Sequence, residues 1–487
     1  MTRFLDEEIR KSILAEIRPT EEEIKKQKKQ VSRITESLKK FAHSEWKYTR
    51  IQAEGSTGKK QTQLRGASDL DIFVILNPED YGDVLAKNPR ARMNAVNSIM
   101  EAVVDEWFIP ALRKLKPSSC QKTYSQHPYL SVKLNGFDVD IVGCFEVSPQ
   151  ELLASGPISA MDRTIHHSEY VNLHLCQETR DDVRILKSFA RASYAYADTC
   201  AVGRMGFTGY ALELLIIRGG GLEQALKYII DLERTPLDPE GRSLAKLKED
   251  PSFRDDFVFI IDPIDPNRNV SSSFDERTVR LLRMRAEKLL EEFEEGNINR
   301  IMKMVIEKPI SLSPLPSWIV RHSIVFEFKE EKSYHYSVFR DKLYSLGKLV
   351  AGQLQHEQTG EIRFGATLFE VYFEAESYSL AFLVENMMIS NVYSYKGPPL
   401  NLSTAVEDFR RVHADTVEKA GYIWTTKERE FTSARSLAET LIDHYGIKGL
   451  SRKEPGETST KLLRVILDHV LPVEHGFPVD SIRNKPK

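Results

Sequence analysis

Cysteine is scarce and scattered in this 487-residue chain: Cys120, Cys144, Cys176 and Cys200 form no CxxC pair. Neither a disulfide framework nor a cysteine zinc site is expected, and a reducing cytoplasmic compartment suits such usage. An excess of one charge is also missing. The 68 basic and 71 acidic residues leave a net charge of −3, which excludes a uniformly basic polyanion binder but not local basic clusters. No apolar run reaches the roughly 18 residues of a membrane span, and Met1 to Glu8 has no apolar signal core, so no membrane partner is expected. Internal repeats and low-complexity tracts are absent. What remains is an ordinary globular mixture, 41% hydrophobic and 29% charged. At roughly 150 residues per domain, about three domains are expected.

The pattern of the chain supports three regions. Over the first fifty residues it reads as helices, with a fresh start at Pro19-Thr20-Glu21-Glu22-Glu23. Thr20 is a predicted N-cap and the glutamates complement the helix dipole. Lys25, Lys26, Lys28, Lys29 and Arg33 on the following helix read as a solvated face. From Tyr48 to Gly143, short apolar strands alternate with turns. Leu70 to Leu76 suits a buried central strand, and the two runs around Asn135-Gly136 predict a hairpin. Asp181 to Tyr196, Tyr210 to Ile217, Leu222 to Leu232 and Glu276 to Glu295 carry helical spacing, with Gly219-Gly220-Gly221 as a helix stop.

The last third predicts strands at Ile324–Phe328, Glu361–Phe373, Leu380–Ile389 and Tyr422–Lys427, with helices at Tyr336–Gln355 and Ala405–Ala414. That βαββαβ order suggests a ferredoxin-like split unit. The expected fold class is therefore α+β and multidomain: residues 1–162 a mixed-sheet domain with helices, 163–300 helical, and 301–487 a C-terminal α/β region.

The chemistry concentrates in residues 53–73. Asp69 and Asp71 lie two apart at a strand start, so their carboxylates project from one face. Two carboxylates so placed repel, and a divalent cation relieves the conflict; magnesium takes one or two carboxylates plus substrate phosphates. Gly55-Ser56 offers a tight turn, backbone N–H groups and a hydroxyl at a predicted helix start. A third carboxylate must come from elsewhere. Asp140, on the hairpin strand, is the candidate, with Asp138 on the same face as its competitor. Two metals in such a site activate a hydroxyl and stabilise leaving pyrophosphate.

This arrangement resembles the DNA polymerase β-type nucleotidyltransferases. Further segments are similar to the archaeal-type (class I) CCA-adding enzymes, which are tRNA nucleotidyltransferases. They are Ile158-Ser159-Ala160-Met161-Asp162-Arg163-Thr164-Ile165-His166-His167, Val183 to Lys187, Gly206 to Leu215, and Asp262 to Val270. They come in the family's order and the likeness covers nearly the whole chain.

The resemblance implies a polymerase β-type catalytic head (1–162), a helical neck that closes the nucleotide pocket (163–300) and a tRNA-holding body and tail (301–487). It also implies Mg2+, CTP and ATP, the 3′ end and acceptor arm of tRNA, and a homodimer. By match to the motifs, Asp69, Asp71 and Asp140 are the catalytic metal ligands, and Ser56 beside Gly55 holds the triphosphate. His167, Lys187 and Tyr196 contact the triphosphate and sugar, and Arg268 reads the base edge. The loop after Ser56 is one residue longer than the family pattern, and Lys59 or Lys60 stands in for the family's arginine. His166 is adjacent to His167, and a one-residue shift exchanges them. Without the resemblance, Arg184, Lys187 and Arg191 read as a solvated stripe, Tyr196 as a packing residue, His167 equally as a capping or packing residue or a phosphate ligand, and Arg268 as a surface arginine. The alternatives to CCA addition are a poly(A) polymerase or oligoadenylate synthase of the same superfamily, or an inactive RNA-binding relative.

Overall fold

The computed structural model describes residues 5–42, 46–85, 89–124, 127–332, 334–358 and 360–483. It contains two compact units: residues 1–197 with 207–308, and residues 198–206 with 309–487. Among the described residues the four cysteines are all free, and no helix is long and apolar enough to cross a membrane.

The first unit opens with helices α1 (Glu7–Ile17) and α2 (Glu21–Phe41). Thr20 caps α2 through a reciprocal box with Glu23, each side chain meeting the other's backbone N–H, as the sequence predicts. Lys25, Lys26, Lys28, Lys29 and Arg33 are exposed, which is the expected solvated face.

A five-stranded sheet follows, in the order β1-β2-β5-β4-β3: β1 (Tyr48–Glu54), β2 (Asp69–Leu76), β3 (Ser119–Tyr124), β4 (Pro128–Leu134) and β5 (Phe137–Phe145). Asn135 and Gly136 both take positive φ in the β4–β5 turn, the geometry that makes Asn-Gly a hairpin signal. Neighbouring strands are antiparallel except β2 and β5, which run parallel. Strand alternation then sorts the two faces. Leu70, Ile72, Val74 and Leu76 of β2, with Val139, Ile141 and Phe145 of β5, pack into one core with Ile34, Leu38, Trp107 and Phe108. Each such side chain, fully buried, contributes about 1.5–3 kcal/mol. Phe73, Ile75, Val142 and Cys144 pack on the opposite face with Ile165. That second face continues toward the strand starts as Asp69, Asp71, Asp138 and Asp140. Both sides of the central strands are covered, which explains why β2 reads as a nearly continuous apolar run.

The helical part of this unit packs α3 (Arg163–His174), α4 (Gln177–Ala192), α5 (Gly209–Gly219), α6 (Leu222–Asp231) and α7 (Glu276–Glu295) around one apolar core. Gly220 takes the left-handed conformation that ends α5. The helix expected to reach Tyr196 stops at Ala192, and Tyr194 takes positive φ. Tyr196 instead bridges Phe207 in an extended segment.

In the second unit β6 (Ser323–Glu330), α8 (Tyr336–Gln355), β7 (Thr367–Glu374) and β8 (Ser377–Val384) follow the expected order. Residues 361–366 stay outside β7. Gly365 there takes positive φ, and a Cβ would overlap Glu385 Oε2. The final helix and strand of the split unit differ from expectation. The four-stranded sheet places β12 (Leu450–Lys453) at one edge, in the order β12-β6-β8-β7, with every neighbour antiparallel. An inserted β9 (Val392–Pro399), α9 (Ser403–Val412), β10 (Thr416–Lys419) and β11 (Tyr422–Glu428) precede the elements that complete it, α10 (Ala434–Tyr445) and β12 (Leu450–Lys453). Strands β9, β10 and β11 make their own three-stranded sheet. The predicted helix at Ala405–Ala414 and strand at Tyr422–Lys427 therefore exist but belong to this insert. Its hairpin turns on Ala420-Gly421, both at positive φ, a pair with no strong turn signature in the sequence.

Candidate active site

The site is assembled where β1, β2 and β5 start or end. Parallel register sets Asp69 opposite Asp138 and Asp71 opposite Asp140, so all four carboxylates rise from one face. Asp71 and Asp140 are half-buried, whereas Asp69 and Asp138 at the strand starts are exposed. Asp138 already engages Lys133 at 3.6 Å and accepts from the Ser68 hydroxyl at 3.4 Å. Burial, Asp140 and Asp69 together push the Asp71 carboxyl up to about 7, with Lys60 pulling the other way. Burial and Asp138 raise Asp69, opposed by Arg191. This is the mutual repulsion of crowded carboxylates that the sequence spacing foretells. Among the described residues no three acidic, histidine or cysteine groups already stand grouped as a metal cage. The donor chemistry, oxygen only and with like charges crowded, is nevertheless of the kind a hard divalent cation takes.

Gly55 lies over Asp71. Its φ is +69°, and a Cβ would overlap Asp71 Oδ2, so no other residue fits without displacing that carboxylate. Residues 55–60 form a continuous turn rather than the expected helix start. The turn closes when Thr62 N–H donates to Ser56 O at 3.0 Å, and Thr57 Oγ1 pins it to Asp69 O at 2.8 Å. The turn separates the two lysines. Lys59 stands 3.7 Å from buried Glu54 and 3.6 Å from Glu169. Lys60 is buried, 2.9 Å from Glu213 Oε2 and 4.8 Å from the centre of the Tyr210 ring.

The stripe on α4 is not the solvated face its spacing suggests in isolation. Arg184 and Lys187 are buried, and only Arg191 is exposed. Arg184 donates to Asp181 at 2.8 Å and to the Gln63 and Gln61 carbonyls. Lys187 Nζ donates to Glu213 Oε1 at 2.8 Å and Thr62 Oγ1 at 2.9 Å. Burial alone would raise the Glu213 carboxyl, but Lys187, Lys60 and the Thr62 hydroxyl hold it down to about 2. Tyr196 stands beside this group, its phenol pushed up to about 12 by burial and Glu213.

A third group surrounds Asp262, whose side chain is fully buried. It accepts from Arg268 NH1 at 2.8 Å, Tyr210 OH at 3.0 Å and Ile264 N–H at 3.0 Å, and His167 Nε2 lies 2.7 Å away. The Asp262 carboxyl is held well below the usual range despite its burial, because it faces His167, Arg268 and a backbone N–H. Burial lowers His167 more than Asp262 raises it, and its Nε2 faces the carboxylate. The ring stacks on Tyr210 with centroids 4.1 Å apart. His166, the alternative, turns away to the Val147 carbonyl at 2.7 Å. Arg268 remains partly exposed, with its head fixed rather than free.

Tyr210 and Glu213, one helical turn apart on α5, link the lysine group to the His167–Arg268 group. Thr208 caps that helix by accepting from Ala211 N–H at 3.3 Å, the structural part assigned to it from the sequence. Neither Glu213 nor Asp262 stood among the residues singled out for chemistry. The signal for Glu213 was a lone carboxylate inside Ala211-Leu212-Glu213-Leu214-Leu215, where an unpaired charge could not be buried.

Residues 181–297 match the family model described as "tRNA nucleotidyltransferase, second domain". A CCA-adding enzyme of Saccharolobus islandicus is 28% identical over 440 residues, covering 89% of this chain and 92% of that protein. The chain is similar to such enzymes over most of its length. The CCA-adding enzyme of Thermoplasma acidophilum is 32% identical over 284 residues; that match spans 58% of this chain and 57% of the relative, little more than half its length. Among solved structures, a Cid1 RNA uridylyltransferase matches over 62% of this chain and 98% of its own at 13% identity and a TM-score of 0.44, a level at which no activity carries over.

Proposed function

We propose that this chain is a template-independent tRNA nucleotidyltransferase that builds and repairs the 3′-terminal C-C-A from CTP and ATP, releasing pyrophosphate. The observation that carries the reading is the register pairing of Asp71 with Asp140 beneath the Gly55-Ser56 turn, in a chain whose relatives are CCA-adding enzymes. Asp69, Asp71 and Asp140 would hold Mg2+, with Asp140 preferred to Asp138 because it partners Asp71 rather than the exposed Asp69. Bound there, the cation supplies charge for an in-line attack of the RNA 3′-hydroxyl on the α-phosphorus.

The chain's own residues do the rest. Gly55 lets the backbone approach the carboxylates, and Ser56 offers its hydroxyl and turn amides to the triphosphate. Lys60, Lys187 and Tyr196 line one side of the pocket, and Lys59 stands on its outer edge. His167 and Arg268 belong to the base end, locked together by Asp262. In this reading residues 1–162 do the chemistry, 163–300 close the nucleotide pocket and 301–487 hold the tRNA by shape and backbone. The homodimer and the cytoplasmic setting rest on the family resemblance and on cysteine usage. A poly(A) polymerase or oligoadenylate synthase activity is not favoured, since the curated relatives are CCA-adding enzymes.

The test offers a tRNA transcript ending before the CCA together with CTP, ATP or both in Mg2+, and measures pyrophosphate release. Release with CTP alone, extended by ATP only when CTP is present, supports the reading. Release with ATP alone at full rate would favour a poly(A)-type enzyme, and none at all an inactive relative.

A further inference from the structure

The row of carboxylates on the five-stranded sheet runs one strand further than the aspartates. Antiparallel register sets Glu54 of β1 opposite Asp71, on the side away from Asp140. Cross-strand partners point to one face, so Glu54, Asp71 and Asp140 stand in line. The neighbouring Ala53 packs into the opposite core. Burial, Asp140 and Asp69 raise the Asp71 carboxyl, and Glu54 adds to them.

Glu54 is fully buried, and its two oxygens differ. Oε1 accepts from Gln52 Nε2 and lies 3.7 Å from Lys59 Nζ. Oε2 has no hydrogen-bond partner among the described residues. Ser168 of α3 is fully buried too, and its hydroxyl likewise lacks a partner among the described residues. Burial pushes the Glu54 carboxyl up and the Ser168 hydroxyl opposes that shift, so the open acceptor and the open hydroxyl are neighbours. An open oxygen on a buried carboxylate costs stability. Packing does not require it, because Ile165 and Val171 already anchor α3 in two apolar cores.

Three consecutive residues of α3 explain what the carboxylate is for. His167 reaches Asp262 at 2.7 Å, Ser168 faces Glu54, and Glu169 lies 3.6 Å from Lys59. His167 belongs to the base end of the pocket and Glu54 to the carboxylate row. Ser168 adjoins the first and faces the second, so a bond between Ser168 and Glu54 sets the distance between the two ends.

We propose that Glu54 is a positioning residue for the nucleotide: its open oxygen takes the Ser168 hydroxyl when the pocket fills, and so fixes α3 and His167 relative to Asp71 and Asp140. This rests on the nucleotidyltransferase reading. It gives binding, rather than folding, as the reason for a carboxylate at the end of β1.

The test measures binding of CTP and ATP to the full chain in Mg2+ by calorimetry, the melting temperature, and amide exchange along α3 with and without CTP. Binding needs no turnover, so the result stands apart from whether the chain adds CCA. Ser168→Ala is expected to weaken both nucleotides about fivefold, as the loss of one hydrogen bond does. Glu54→Ala is expected to weaken them at least as much, with a melting temperature equal to or above the wild type. CTP should protect the α3 amides in the wild type and protect them less in either variant. Glu54→Gln, whose amide oxygen still accepts, should recover most of the affinity. The double variant Glu54→Ala with Ser168→Ala should bind no more weakly than Glu54→Ala alone. Should Glu54→Ala melt too low to assay, Ser168→Ala decides. Wild-type nucleotide affinity in Ser168→Ala would overturn the assignment. So would losses that multiply in the double variant, or undiminished protection of α3 by CTP.

Discussion

Asp71 and Asp140 are register partners on β2 and β5, the parallel strand pair of the five-stranded sheet. Parallel partners point to the same side, so two carboxylates about seventy residues apart in sequence are forced together by backbone hydrogen bonding alone. The sheet provides the position, and the apolar residues below them, Phe73 and Val142, anchor it.

Removing one of these charges should abolish nucleotide addition while sparing tRNA binding. Asp71→Asn and Asp140→Asn are each expected to lower C and A incorporation by at least a hundredfold in single-turnover extension. Asp138→Asn should cost less than tenfold. RNA affinity, measured by filter binding, should stay within about twofold, since it rests on basic residues elsewhere. A dead Asp138→Asn with an active Asp140→Asn would move the third ligand to the strand start.

The raised Asp71 carboxyl makes stability depend on pH with a definite sign. A carboxyl that titrates near 7 in the folded chain and near 3.9 unfolded retains its proton better when folded. Its contribution is therefore full below the unfolded value and is lost as pH rises through about 7. In the presence of a chelator, the melting temperature should fall between pH 6 and pH 8 more in the wild type than in Asp71→Asn. Mg2+ should restore it at pH 8 more than at pH 6, because cation and proton compete for the same oxygens. Equal pH dependence in both proteins would place the repulsion elsewhere.

Gly55→Ala should lower activity out of proportion to its effect on folding. The positive φ costs about 1 kcal/mol for an L residue, but the added methyl must also displace Asp71 Oδ2. Extension rates should drop at least tenfold while the melting temperature falls by only a few degrees. A change in stability alone would show that Asp71 yields without consequence.

Base choice should depend on Asp262 as much as on Arg268. Cytosine N3 and adenine N1 are acceptors, whereas uracil N3–H and guanine N1–H are donors, and an arginine only donates. Leaving donor against donor in a buried site rejects strongly. Arg268→Ala is expected to slow C and A addition and to raise the relative incorporation of U or G. Asp262→Asn, which loosens the same guanidinium, should shift discrimination in the same direction. Extension with all four triphosphates measures both, and unchanged ratios would return base choice to backbone groups or the RNA.

Much of this was legible in the sequence because local rules govern it. The Thr20 capping box, the Asn135-Gly136 hairpin and the Asp69-x-Asp71 strand start are set by neighbouring residues. The fate of Arg184 and Lys187 was not legible from spacing, because their partners, Asp181 aside, come from the turn after β1 and from α5. Helical periodicity shows which residues share a face but not what lies opposite. The same holds for Asp262, which gains its meaning only when His167 and Tyr210 are packed against it. In the second unit, elements were recognised but misassigned, because strand pairing is a long-range property and the insert from β9 to β11 supplies its own partners.

The central claim is tested most directly by single-nucleotide extension of three tRNA transcripts, ending before the CCA, after its first C, and after CC. CCA addition predicts that the first two accept only C and the third only A, with Mg2+ required throughout. Addition of A to all three transcripts, or indifference to where the transcript ends, would contradict it.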